Sequence, residues 1–205
     1  KYVAVQYGES GGIVGAVTET YLLERSRVVD VGPGERNYHI FYQMLTNSAI
    51  CKQWGLGEAS GYAYLSAEGA VATVEEMNDT REFASVQSAL RTFRFSAEEV
   101  AAVWRMLASI LLLGNVSFRP QAAGAGGDDG EVAEVVDEAA LASAAGALGC
   151  EVEALRFPLL RKHIKVMRDT IVTHYTIKAA GQSRDALAKG AQWAAPLLSP
   201  PSLPH

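Results

Sequence analysis

Between Ser96 and Gly114 runs the stretch that most constrains the fold, SAEEVAAVWRMLASILLLG. Ser96 followed three residues later by Glu99 has capping-box form, in which each side chain satisfies an otherwise unpaired backbone N–H at a helix start. Behind it Val100, Val103, Leu107, Ile110 and Leu111 fall on one helical face, and Trp104 and Leu112 widen that face. Gly114 reads as the glycine that stops the helix. A helix apolar on most of its circumference has to be deeply buried, so the rest of the chain must supply a body around it. The longest apolar run, Met106 to Leu113, is interrupted by Ser109 and falls well short of the roughly 20 residues that cross a bilayer.

The N-terminal third supplies strands first. Val3, Val5 and Tyr7 alternate with Ala4 and Gln6, the pattern of a half-buried strand. Glu9-Ser10-Gly11-Gly12 turns the chain, and Ile13 to Thr18 returns, so a hairpin is expected. Tyr21 to Val31 reads as an extended segment around the charged block Glu24-Arg25-Ser26-Arg27, a strand with ion-paired flanks. After the turn signal Gly32-Pro33-Gly34, the residues Tyr38, Phe41, Tyr42 and Leu45 stand at i, i+3, i+4 and i+7 and predict an amphipathic helix. His39, beside that stripe, reads as a packed or hydrogen-bonded histidine.

Cys51 to Leu56 suggests a short helix, and Tyr62 to Leu65 with Ser66 to Gly69 a loop with strand character. Asp79-Thr80-Arg81-Glu82 has capping-box form ahead of the stripe Phe83, Val86, Leu90 and Phe93. Residues Arg119 to Glu131, with four glycines and three acids, are expected to form a flexible acidic surface loop. Asp137 caps a helix that points Ala140, Leu141, Ala144 and Leu148 inward and has Gly149 beyond its end. Val152 to Leu160 is weakly helical, with Pro158 expected to interrupt it. Lys162 to Lys178 then switches to period two and predicts a protruding two-stranded ribbon, Arg168-Asp169 making its turn. Ser183 to Trp193 forms a last helix, and the proline-rich tail over 194–205 cannot pack as one.

Composition narrows the class. Hydrophobic residues at 49% with charged residues at 20% describe a globular chain, and the strands and helices expected above make it mixed α/β, helix-rich. A net charge of −5 creates no overall field for nucleic acid. Against that background the ribbon carries Lys162, His163, Lys165, Arg168, His174 and Lys178 with one acid, Asp169. Cys51 and Cys150 stand far apart in no metal-ligand pattern and read as buried free thiols. There is no G-x-x-x-x-G-K-[ST] phosphate loop, and the glycine-rich Gly8 to Gly12 lies in a hairpin with no helix behind it.

Several strings, in order, resemble one family, the motor domain of the myosin heavy chain. Gly15 with Tyr21-Leu22-Leu23-Glu24 and Ser26-Arg27-Val28-Val29 is similar to a strand pair of that motor. Glu35-Arg36-Asn37-Tyr38-His39-Ile40-Phe41-Tyr42-Gln43 resembles its following helix almost letter for letter. Tyr64-Leu65-Ser66, the string Leu111 to Phe118, Ile164-Lys165-Val166 and Arg184-Asp185-Ala186-Leu187-Ala188-Lys189 continue the resemblance.

The resemblance implies a partial P-loop-NTPase-type fold over residues 1–193: the upper 50-kilodalton region, opening on a hairpin of the transducer sheet. Lys1 resembles the residue that follows switch I, and the chain is expected to end before switch II, with 194–205 as a non-family tail. The implied family function is actin-based movement driven by ATP with Mg²⁺, in the cytoplasm on the cytoskeleton. The implied partners are filamentous actin and the remainder of the heavy chain, with no nucleic acid and no membrane span. No nucleotide-binding, catalytic or metal-ligating residue is expected within this chain. Lys162, His163, Lys165, Arg168 and Lys178 are the actin-binding candidates, a solvated ribbon with ordinary charges being the alternative. The competing functional readings are a non-catalytic actin-binding or regulatory piece, and a truncated product or gene-model error without function.

Overall fold

The computed structural model describes residues 2–19, 24–121, 132–166 and 169–191. Strand β1 (Tyr2–Tyr7) pairs antiparallel with β2 (Ile13–Glu19), from Tyr2 opposite Glu19 to Tyr7 opposite Ile13. Gly11 sits at φ 76°, the left-handed region where glycine meets no steric cost, and closes the turn by donating to the Gly8 carbonyl at 2.9 Å. The expected burial is not found. Val3, Val5, Tyr7 and Ile13 are 43–71% exposed, because alternation specifies two faces and cannot supply anything to cover them.

The expected strand around Glu24 is a 3-10 turn, Arg25–Val28, while Tyr21 to Leu23 lie outside the described residues. The expected ion pairing holds: Arg27 reaches Glu24 at 2.9 Å and Glu35 at 3.0 Å. Helix α1 (His39–Leu45) starts from Tyr38 and buries Phe41, Tyr42 and Met44. Helix α2 (Ser48–Trp54) is capped by Asn47 and ends on Gly55 at φ 62°. Tyr62 keeps an extended backbone (φ −116°, ψ 122°) without joining a strand of the described residues, and Tyr64 and Leu65 lie in a turn; all three are at most 4% exposed.

Helix α3 (Asp79–Thr92) begins one residue earlier than its capping box proposes. Asn78 is the cap and accepts from the Arg81 N–H at 3.0 Å, while Asp79 turns inward to Arg36 at 2.6 Å. Phe93, assigned to the apolar stripe, is 70% exposed at its end. Helix α4 (Ala97–Gly114) carries both halves of the Ser96/Glu99 capping box. Its central burial is as required: Ala108, Ile110, Leu111 and Leu113 are at most 2% exposed. The role given to Gly114 is corrected. The cap is Asn115 in right-handed conformation, and a Cβ on Gly114 would stand 2.6 Å from the Tyr64 ring. Glycine is there for close approach.

Beyond α4, β3 (Phe118–Pro120) pairs antiparallel with β4 (Ala133–Val135), so Arg119 and Pro120 belong to a strand rather than to a loop. Residues 122–131 of the expected acidic loop lie outside the described residues. Helix α5 (Glu138–Leu148) is capped by Asp137 and ends on Gly149 at φ 76°. Helix α6 (Val152–Leu160) runs through Pro158 without interruption. Only two residues follow the proline, and its carbonyl accepts instead from Ser183 Oγ at 2.7 Å.

Strands β5 (Arg161–Val166) and β6 (Asp169–His174) form the expected ribbon, and α7 (Ile177–Ala191) follows. The last helix thus starts six residues earlier than its sequence pattern proposes, and Lys178 belongs to it, not to the ribbon. The core joins Phe41 and Met44 of α1, Leu111 and Leu113 of α4, Leu141 of α5 and Leu159 of α6, all at most 2% exposed.

Candidate functional site

Period two, combined with the observed register, sorts the ribbon's side chains onto two faces. Arg161 lies opposite His174, His163 opposite Val172 and Lys165 opposite Thr170. Side chains of directly opposed residues share a face, so one face carries Arg161, His163, Lys165 and His174. The other carries Lys162, Ile164, Ile171 and Thr173. The candidates gathered as one basic group are therefore divided. Lys162 points away from His163 and Lys165, a split already present in the alternation of the sequence.

The cationic face leans on the body. His163 stacks on Phe157 of α6, centroids 4.8 Å apart, and Arg161 with His174 lines a cavity of about 270 Å³ bounded also by Glu134 and Leu160. The apolar face is open, with Ile164 37% and Ile171 50% exposed, and the Lys162 Nζ lies 5.9 Å from the Tyr175 ring centre. Lys178 stands exposed in the first turn of α7, and Arg168 lies outside the described residues. Arrays of this kind do no covalent chemistry. An apolar strip edged by cations suits contact with an acidic protein surface: the charge guides encounter and the strip is desolvated on docking.

The foot of the ribbon is tied down. The Tyr175 N–H donates to the Leu160 carbonyl at 2.8 Å, and the Ala133 N–H donates to the Tyr175 carbonyl at 2.9 Å. Further in, Arg184 donates through Nη1 to the Gly114 and Val116 carbonyls at 3.2 and 3.0 Å. The Tyr64 hydroxyl donates to Asp185 Oδ1 at 2.8 Å, and burial pushes that phenol well above its ordinary titration range. The resemblance singled out both strings, Tyr64-Leu65-Ser66 and Arg184 to Lys189, without showing that they meet.

Arg36 is almost wholly buried, stacked 3.9 Å from the Tyr42 ring centre and bonded to Asp79. The described residues do not fit ATP or Mg²⁺. In the Gly8 to Gly12 turn the Gly8 and Gly11 amides are spent on the turn's own carbonyls. No group of three or more His, Cys, Asp or Glu among the described residues could hold a metal ion. Among them, too, no helix is long and apolar enough to cross a membrane.

Comparison with known proteins is consistent along the chain. The family model for the myosin head (motor domain) matches residues 1–193. Myosin-1 of Arabidopsis thaliana is 37% identical over 191 residues, covering 92% of this chain and 16% of that protein. Unconventional myosin heavy chain 6 of Caenorhabditis elegans is 34% identical over 191 residues, 92% of this chain and 9% of its own length. Myosin-K heavy chain of Dictyostelium discoideum is 35% identical over 194 residues, 92% of this chain and 21% of its own. The chain thus spans about a fifth or less of each of these relatives.

Proposed function

The chain belongs to the myosin motor-domain family, and from that premise we propose that residues 1–193 serve as the upper 50-kilodalton region of an actin-based cytoskeletal motor. In this reading the β5–β6 ribbon is a surface that meets filamentous actin, and β1–β2 is a hairpin of a sheet completed by the remainder of the heavy chain. The observation that carries the ribbon's role is its composition in place: an exposed Ile164–Ile171 strip beside Lys162, backed by Arg161, His163 and Lys165, on a chain of net charge −5. Arg168 and Lys178 add charge nearby by sequence position.

ATP and Mg²⁺ belong, in this proposal, to the complete motor. Phosphoryl transfer relies on a phosphate-cradling loop, a lysine and a held metal, and this sequence has no phosphate-loop motif. Co-sedimentation with filamentous actin tests the ribbon. The chain should pellet with filaments, less so as salt rises, and Lys162→Ala with Lys165→Ala should weaken pelleting several-fold. A folded, soluble chain that stays in the supernatant at low salt would overturn the assignment.

A further inference from the structure

The ribbon is covalently continuous with the body at its two chain ends, and the exit end runs through Thr176 straight into α7. What fixes α7 therefore bears on what aims the ribbon. We propose that Arg184 and Asp185 of α7, with Tyr64, form a polar strut whose work is to position the ribbon; the proposal rests on the ribbon being the surface that meets the partner.

Three features support it. First, Arg184 serves as a cap supplied from another helix. The Gly114 and Val116 carbonyls lie at the C-terminal end of α4, where intrahelical partners run out, and a guanidinium there also meets the negative end of the helix dipole. Second, Asp185 Oδ1 gathers three donors: Arg184 Nε at 2.9 Å, Arg184 Nη2 at 2.8 Å and the Tyr64 hydroxyl at 2.8 Å. Tyr64 stands 121 residues away in sequence and reaches this point only because Gly114 has no Cβ. Third, the strut continues. The buried Asn37 amide donates to the Tyr64 carbonyl at 2.8 Å and to the Val28 carbonyl at 3.1 Å, so one polar line runs from the 3-10 turn to α7. Ser183 adds a bond from α7 to α6, the helix that feeds the ribbon's entry strand.

Arg184, Asp185 and Tyr64 are positioning residues, since each acts on the ribbon through α7. The test separates positioning from general packing by amide hydrogen exchange in the full chain. Asp185→Asn keeps the shape and removes the charge. It should speed exchange at Ala133 and Tyr175, the amides of the ribbon's foot, about tenfold, with α5 unchanged. Tyr64→Phe should show the same pattern more weakly, and it decides the matter if Asp185→Asn fails to fold. Unchanged exchange at the foot, or an equal rise in α5, would overturn the strut. Actin pelleting is read separately: wild-type chain that does not pellet sinks the ribbon's role, while the strut is still judged on exchange alone.

Discussion

Strands β1–β2 and β5–β6 make two antiparallel ribbons of nearly equal length, six and seven residues against six and six. They differ in what they show to water and in what holds them. The first exposes Tyr2, Val3, Val5, Tyr7, Ile13, Val14 and Val17, and it carries few charges. The second exposes Ile164, Ile171 and Val172 among Arg161, Lys162, His163 and Lys165, and its foot is hydrogen-bonded to α6 and β4. A long, uncharged, apolar ribbon invites permanent pairing along its edges, whereas charges along a ribbon discourage it and favour reversible contact. The pair therefore teaches that equal backbone geometry can carry two different surfaces, one apolar and nearly uncharged, the other apolar and edged by cations.

The contrast can be broken most forcefully at the ribbon's foot. Leu159, fully buried in the last turn of α6, leads directly into β5. Leu159→Ala should cost about 3 kcal/mol in urea unfolding, as for other fully buried leucines. A cost below about 1 kcal/mol would mean that the ribbon's foot is no better anchored than the hairpin.

A smaller effect sharpens the same point. Glu138 of α5 accepts from Arg156 of α6 at 2.8 Å, and this hydrogen bond holds its carboxyl below its ordinary value of 4.5. A lowered folded-state value means that the contribution is present above about 4.5 and is lost as pH falls through the folded value. Glu138→Gln should therefore lower stability at pH 7 by less than about 1 kcal/mol, the range of exposed pairs, and the difference from wild type should vanish in acid. A difference that persists at pH 3 would show that the glutamate acts through packing rather than charge.

The smallest change is expected at the hairpin. Val3→Thr with Val14→Thr removes exposed apolar surface and should leave the unfolding free energy within about 0.5 kcal/mol while raising the soluble concentration. A loss near that of Leu159→Ala would show that these side chains are covered in solution and would erase the distinction.

Much of the local architecture was legible in the sequence. Ser96 with Glu99, Asp137 and Gly149 act where their spacing places them, because a cap is a contact among residues at most a few positions apart. The ribbon was legible too, and its division into faces followed from period two once the register was known. The misreadings share a cause. Asp79 and Asn78 are both good caps, and the choice between them was made by Arg36, 43 residues away, which draws the aspartate inward. Gly114 looked like a helix stop, but the ring of Tyr64 explains it. Tyr62 to Leu65 read as a loop with strand character, yet only Tyr62 is extended, because buried aromatic and branched residues suit strands and buried turns alike.

By itself, then, the sequence determined the family, the capped starts of α4 and α5, the two ribbons and the need for a buried α4, since strings, caps and periodicities are properties of neighbouring residues. Only the tertiary structure decided that both ribbons stand exposed, why Gly114 must be glycine, and that Tyr64 and Asp185 meet. Those depend on which distant surfaces are brought into contact, and no local pattern encodes a contact made across 121 residues.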